Sequence, residues 1–269
     1  MDHVKEQIHW EAAYEMGLTG KGAGVAVLDT GLFPHRDFED RIAGFADMVN
    51  HNPGPYDDCG HGTHICGIIG GSGVSSGGRY QGIAPGCTLT AVKVLDRRGN
   101  GSVTDVLAGI DWVLRHREQL GIRILNISVG SCTRKGMSEN SALVKGVDRA
   151  WDEGLVVVVA AGNRGPGRMT ITTPGISRKV ITVGCSDDDR EAPGCGVVSC
   201  ASDFGRYTIK SGTSMSTPVV SGAIALLLEK YPDMTNRDVK LKLMESAMDI
   251  GLPKNQQGWG LLDIKRLLE

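Results

Sequence analysis

Apolar residues along this chain fall into two alternating patterns. Short unbroken runs occur at Val25-Ala26-Val27-Leu28, Leu89 to Leu95, Ile122 to Ser128, Leu155 to Ala161 and Val180 to Gly184. Such runs read as strands buried on both faces, since a half-exposed strand would alternate with polar residues. Between them, Val103, Val106, Leu107, Ile110, Val113 and Leu114 recur at helical spacing within Val103 to Leu120. Leu143 to Trp151 reads as a second helix. Pro218 to Tyr231 is apolar almost throughout and reads as a central buried helix. Thr235 followed by Asp238 predicts a capping-box start to a helix through Ala247, with Asp in place of the usual Glu or Gln. Strands alternating with helices predict an α/β protein of three layers, a mostly parallel central sheet with helices on both faces. No internal repeat, low-complexity tract or linker interrupts the pattern, and Gly70 to Gly82 reads as a surface loop. Residues 1–269 are therefore expected to form a single domain. In such sheets working residues collect at the carboxyl ends of strands. Asp29 and Asn163 both stand there.

Composition narrows the function classes. The 269 residues are 41% hydrophobic, enough for a core without a staple, and 29 basic against 31 acidic side chains give a net charge of -2. No basic face suggests a nucleic-acid partner. No run of about 18 apolar residues suggests a membrane span. The start, Met1 to Glu6, lacks the basic-then-apolar layout of a signal peptide. The expected location is the cytoplasm, the alternative being a secreted protein whose targeting segment lies outside this chain. Seven cysteines cannot all pair within one chain. They are expected to be free thiols, with Cys195 and Cys200 the best-placed pair should a bridge form.

Three short segments carry the chemistry. Val27-Leu28-Asp29-Thr30-Gly31 sets a carboxylate just past a strand, where it can orient an imidazole, although an Asp before a tight turn is commonly only a turn residue. Gly60-His61-Gly62-Thr63-His64 flanks His61 with glycines that leave it open and let backbone approach. The two histidines also resemble a metal-site fragment, but no Glu or third His follows in zinc spacing, and His64 is expected to be structural. In Ser211-Gly212-Thr213-Ser214-Met215-Ser216-Thr217-Pro218, a glycine turn delivers Ser214 to a helix N-terminus, where free backbone N–H groups favour negative charge. Alone, that serine would read as an ordinary cap.

Together, DTG, GHGTH and SGTSMSTP resemble the subtilase family of serine proteases, and so do Gly82-Ile83-Ala84-Pro85 and Val92-Lys93-Val94-Leu95 between them. The resemblance runs from Gly20 to about Asp263. It implies a subtilisin-like fold and a serine endopeptidase in which Ser214 is the nucleophile, His61 the general base and acid, and Asp29 the residue that orients His61. It further implies an oxyanion hole made by the Asn163 side chain, within Ala160-Ala161-Gly162-Asn163, and the Ser214 amide. Extended substrate would lie along Gly99-Asn100-Gly101 and Ser128-Val129-Gly130, with Ala161, Gly162 and Arg164 completing the substrate-binding set. Arg164, beside Asn163, is expected to disfavour basic residues before the scissile bond. Thr173-Pro174-Gly175 matches a segment in which the proline is often cis. No cofactor is implied for the chemistry. For a structural calcium ion Asp37 is the one ligand nominated, the alternative being a solvated surface aspartate, because the Ser72 to Tyr80 loop lacks the family's asparagine-containing ligand loop. The partners implied are polypeptide substrates. Between Gly184 and Ser214 the chain is shorter than the family pattern, and the acidic stretch Ser186 to Glu191 stands there. The alternative reading is a catalytically weak relative that binds peptides or regulates.

Overall fold

A computed structural model describes residues 1–128, 139–165, 170–185 and 194–269. Two short helices, α1 (Asp2–Gln7) and α2 (Glu11–Glu15), precede the first strand, β1 (Gly24–Asp29). Then come β2 (Ile42–Asp47), α3 (His61–Gly70), β3 (Thr88–Lys93), α4 (Val103–His116), β4 (Ile122–Ile127), α5 (Ala142–Asp152), β5 (Val156–Ala160) and β6 (Ile181–Val183). The chain closes with β7 (Val197–Cys200), β8 (Tyr207–Lys210), α6 (Thr213–Lys230), α7 (Asn236–Ser246), α8 (Lys254–Gln257) and α9 (Ile264–Leu268).

Strands β1 to β6 form one parallel sheet in the order β2-β3-β1-β4-β5-β6. Every residue of β1 and β5 is buried, as their unbroken apolar runs require. The two helical layers can be read from adjacent residues of β1. A Cβ on Gly109 in α4 would meet Leu28, whereas one on Gly62 in α3 would meet Asp29. Successive strand residues point to opposite faces, so α4 and α3 lie on opposite sides of the sheet. Helix α5 packs beside α4, and α6 beside α3 and across β4 and β5.

The predicted strands and helices are all present, with ends shifted by a few residues. The edge strand β2, the antiparallel hairpin β7–β8 and the short helices α1, α2, α8 and α9 were not predicted. The largest shift is in the buried helix, which begins at Thr213 and not at Pro218. Proline marks a helix start because the first turn needs no amide donor. Here it stands in the second turn, and Thr217 Oγ1 donates to the Thr213 carbonyl beside it (2.8 Å). The capping box of α7 forms as predicted, with Thr235 and Asp238 each accepting from the other's backbone.

The strand order places β1 at a switch point, with the chain passing to β3 on one side and to β4 on the other. Loops leave β1 and its neighbours in opposite directions there, opening a crevice at their carboxyl ends.

Candidate active site

Asp29 ends β1 in that crevice and is fully buried. Its carbonyl accepts the amides of Val94 (2.9 Å) and Leu95 (3.2 Å), which fixes the strand end against the segment after β3. Oδ1 accepts from the Thr30 amide (2.8 Å) and from His61 Nδ1 (2.7 Å). That bond puts the imidazole proton on Nδ1 and leaves the Nε2 lone pair free to act as a base. Burial works against the imidazolium, but the charge and hydrogen bond of Asp29 outweigh it and hold the His61 pKa above the ordinary value; Lys210 opposes them.

His61 is the first residue of α3, and Gly60, in the left-handed region at φ 83°, has no side chain to cap it. Two distant groups cap it instead. Thr30 Oγ1 accepts the Gly62 amide (2.9 Å), and Asp57 Oδ2 accepts the amide (2.9 Å) and hydroxyl (2.6 Å) of Thr63. Asp57 Oδ1 takes the Gly60 and Cys59 amides and the Thr30 hydroxyl (2.8, 3.1 and 2.8 Å). Burial would raise the Asp57 pKa, yet these donors hold it below the usual carboxylate range. Lys93, fully buried, closes the network from beneath. Its ammonium donates to the carbonyls of Thr30 (2.7 Å) and Leu95 (2.8 Å) and to Asp58 (2.7 Å). A buried cation is tolerated when all its protons are engaged in this way. The helix start carrying His61 is thus tied to the residue after Asp29. Glycine at 62 is needed for the contact, since a Cβ there would lie 2.2 Å from the Gly31 carbonyl oxygen.

Ser214 stands in the first turn of α6, after Gly212 at φ 130°. Backbone N–H groups in that turn lack intrahelical acceptors. The Ser214 hydroxyl donates to the Ser128 carbonyl (2.9 Å), not to His61. Ser128 is held in turn by Asn126, whose amide donates to its hydroxyl (2.9 Å) and whose carbonyl accepts from Ser221 of α6 (2.9 Å). After β5, Gly162 (φ 95°) turns the chain to the exposed Asn163 and Arg164. Asn163 Oδ1 accepts both the amide (3.1 Å) and the hydroxyl (2.8 Å) of Thr213. This fixes the flip of the side chain, so that Nδ2 is the group left to donate.

Asp29 and His61 are therefore in contact, and Asn163 is bound to the residue before Ser214. The edge at Gly99-Asn100-Gly101 differs from expectation in one respect. Asn100 cannot give its backbone to substrate, because its amide donates to Asp96 Oδ1 (2.9 Å) and its carbonyl accepts the Asp96 amide (2.7 Å). Gly99 and Gly101 remain exposed on either side. Ala161 shapes the next turn, its carbonyl accepting the Thr172 amide (2.8 Å). Val129, Gly130, Cys132 and the stretch Ser186 to Glu191 lie outside the described residues. The Thr173–Pro174 bond is cis. Asp57, Lys93, Asn126 and Thr213 were not singled out in the sequence. Their signal would have been polar residues in apolar surroundings beside the three motifs.

Asp37 does not fit the calcium role expected of it. Its carboxylate accepts from the amides of Gly73 (3.1 Å) and Ser75 (3.0 Å), the Tyr207 hydroxyl (2.7 Å) and the Cys200 thiol (3.7 Å). Calcium needs six to eight oxygens around it. Asp37 is instead ringed by donors, and the Arg41 guanidinium binds its carbonyl. Burial would raise its pKa, but Tyr207 and Ser75 more than offset this and lower it. His35, Asp37 and Cys200 do bring ligand atoms within 4.8 Å of one another. The His35 ring, however, is engaged with the Asp37 amide (3.1 Å) and the Arg206 carbonyl (3.0 Å). Cys195 and Cys200 are both free thiols. Burial raises the thiol pKa of Cys66 and Cys200, and that of Cys87 to about 12.

Comparison with known proteins agrees with this architecture. The family model described as "Subtilase family" matches residues 20–195 and 192–260. Serine protease AprX of Bacillus subtilis is 39% identical over 295 residues, covering 93% of this chain and 66% of that protein. Subtilisin Savinase of Lederbergia lenta is 36% identical over 266 residues, covering 94% of this chain and 93% of that one. A cold adapted subtilisin-like serine proteinase has the same fold, with a TM-score of 0.76 at 28% identity over 91% of this chain and 90% of that chain. The chain belongs to the subtilase family of serine endopeptidases. Among the described residues, no helix is long and apolar enough to cross a membrane.

Proposed function

We propose that this chain hydrolyses internal peptide bonds of polypeptides through an acyl-enzyme on Ser214. The observation that supports this best is the 2.7 Å bond from His61 Nδ1 to buried Asp29, which leaves Nε2 as the base. For attack, the Ser214 hydroxyl must turn from the Ser128 carbonyl to His61. As Oγ attacks the substrate carbonyl, its proton passes to Nε2, and Asp29 remains ionised and stabilises the imidazolium. The oxyanion receives hydrogen bonds from Asn163 Nδ2 and the Ser214 amide. Collapse expels the amine, which takes the proton from His61. Water then repeats the sequence on the ester and frees Ser214. Arg164, exposed beside Asn163, disfavours a basic residue before the scissile bond by like-charge repulsion.

Labelling with a fluorophosphonate probe and reading the intact mass tests this. One adduct on the wild type and none on Ser214→Ala is expected. No adduct on either would overturn the reading in favour of a peptide-binding protein.

A further inference from the structure

The mechanism requires the leaving amine to lie at His61 Nε2, so the substrate residues after the scissile bond run out over whatever flanks His61. The edges expected to hold the acyl half follow β3 and β4. Among the described residues, two other segments flank His61. One is the chain after β1, where the Phe33 amide donates to Thr63 Oγ1 (2.9 Å) in the same helical turn as His61. The other is the β7–β8 hairpin, whose Ser202 Oγ lies 2.9 Å from where a Cβ on Gly60 would be. Lys210, at the end of that hairpin, is close enough to depress the His61 pKa.

These segments meet in an aromatic pair. Phe33 and Phe204 pack edge to face, with centroids 4.9 Å apart and planes at 76°. Phe204 is 79% exposed, the most exposed large apolar residue described. A hairpin loop gains nothing in the folded chain by holding a phenyl ring in water. An edge-to-face pair fixed by backbone bonds on both sides is, however, a ready surface for an apolar side chain.

We propose that Phe33 and Phe204 form a subsite for an apolar, preferably aromatic, side chain on the leaving-group side of the scissile bond. The occupant is the departing half of the polypeptide substrate, because the patch is continuous with the first turn of α3 that carries His61. The proposal rests on the peptidase reading above.

Two kinds of substrate test it. Internally quenched peptides share one acyl half and carry Phe or Ala at each of the first three positions after the scissile bond. An anilide of the same acyl half carries nothing there. Phe204→Ala is expected to lower kcat/KM about tenfold on the best Phe-containing peptide, equivalent to about 1.4 kcal/mol. Its rate on the anilide should be unchanged, and Phe204→Trp should retain the preference. Equal rates on Phe and Ala peptides in the wild type would overturn the subsite and leave the peptidase reading intact. So would an equal loss on peptide and anilide accompanied by a change in oligomeric state, which would assign the patch to a second copy of the chain. Cleavage of neither substrate by the wild type would overturn both.

Discussion

Thr213 grips the side-chain oxygen of Asn163 twice, through its own amide at 3.1 Å and its hydroxyl at 2.8 Å. The residue preceding Ser214, the proposed nucleophile, thereby decides which end of the amide is left to donate. Thr213→Val keeps the shape and the backbone donor but removes the hydroxyl. Its kcat should fall about tenfold with KM little changed, since the Asn163 donor acts on charge that appears only in the transition state. Removing the Asn163 amide itself with Asn163→Leu should cost about 10²–10³-fold. Steady-state kinetics on one peptide substrate measures both, and Thr213→Ser should recover the wild-type rate.

The free base must be neutral to act, so activity is lost as pH falls through the raised pKa of His61. The acid limb of kcat/KM should therefore lie above the ordinary histidine value of about 6.5. Lys210 pulls that pKa down. Lys210→Met should move the acid limb to higher pH by a fraction of a unit. Raising the salt concentration should shrink the difference between the two proteins, because Lys210 is partly exposed.

His64 sets a second, structural dependence on pH. Its Nε2 proton is shared between the carbonyls of Val197 (3.1 Å) and Thr208 (3.2 Å), which ties α3 to the hairpin, while Nδ1 is buried without a partner. Burial, with Lys210 adding to it, lowers its pKa from 6.5 to about 3. An unfolded chain protonates this residue below about pH 6.5 and the folded chain does not, so stability falls as pH drops toward 3. The slope from this group is about 1.4 kcal/mol per pH unit. Denaturant unfolding of the Ser214→Ala protein, which cannot digest itself, should show this loss between pH 7 and 5. Adding His64→Gln should flatten it.

Asp57 gathers five donors and no acceptor. Asp57→Asn would turn an NH2 group toward some of them, leaving buried donors opposed, at a cost of about 3 kcal/mol. A lower melting temperature should accompany a fall in kcat that exceeds the change in KM, because the first turn of α3 no longer holds His61 against Asp29. Calorimetry and kinetics on the same preparation separate the two effects.

Much of this molecule was legible because its sheet is covered on both faces, so β1, β4 and β5 announce themselves as apolar runs ending at Asp29, Ser128 and Asn163. The hairpin was not. Val197 to Cys200 and Tyr207 to Lys210 are four residues each, too short for a period to show. Strand β2 was missed because it lies at the sheet edge and contains Gly44, which reads as a break. The motifs named the three side chains proposed to react, but the groups around them did not stand out. Asp57-Asp58-Cys59-Gly60 looks like a turn until the fold shows Asp57 facing inward. Asp37 failed the opposite way. A resemblance carries over the residue but not the donors around it, and here those donors take up the Asp37 carboxylate.

The contact at Gly62 bears on how this protein could change over generations. Substrate preference is set on exposed loops and hairpins, where side chains can be exchanged one at a time. Position 62 has no such latitude, since even a methyl group would push α3 off β1 and carry the imidazole with it. A randomised library selected for any new specificity should return varied residues at 204 and a single one at 62.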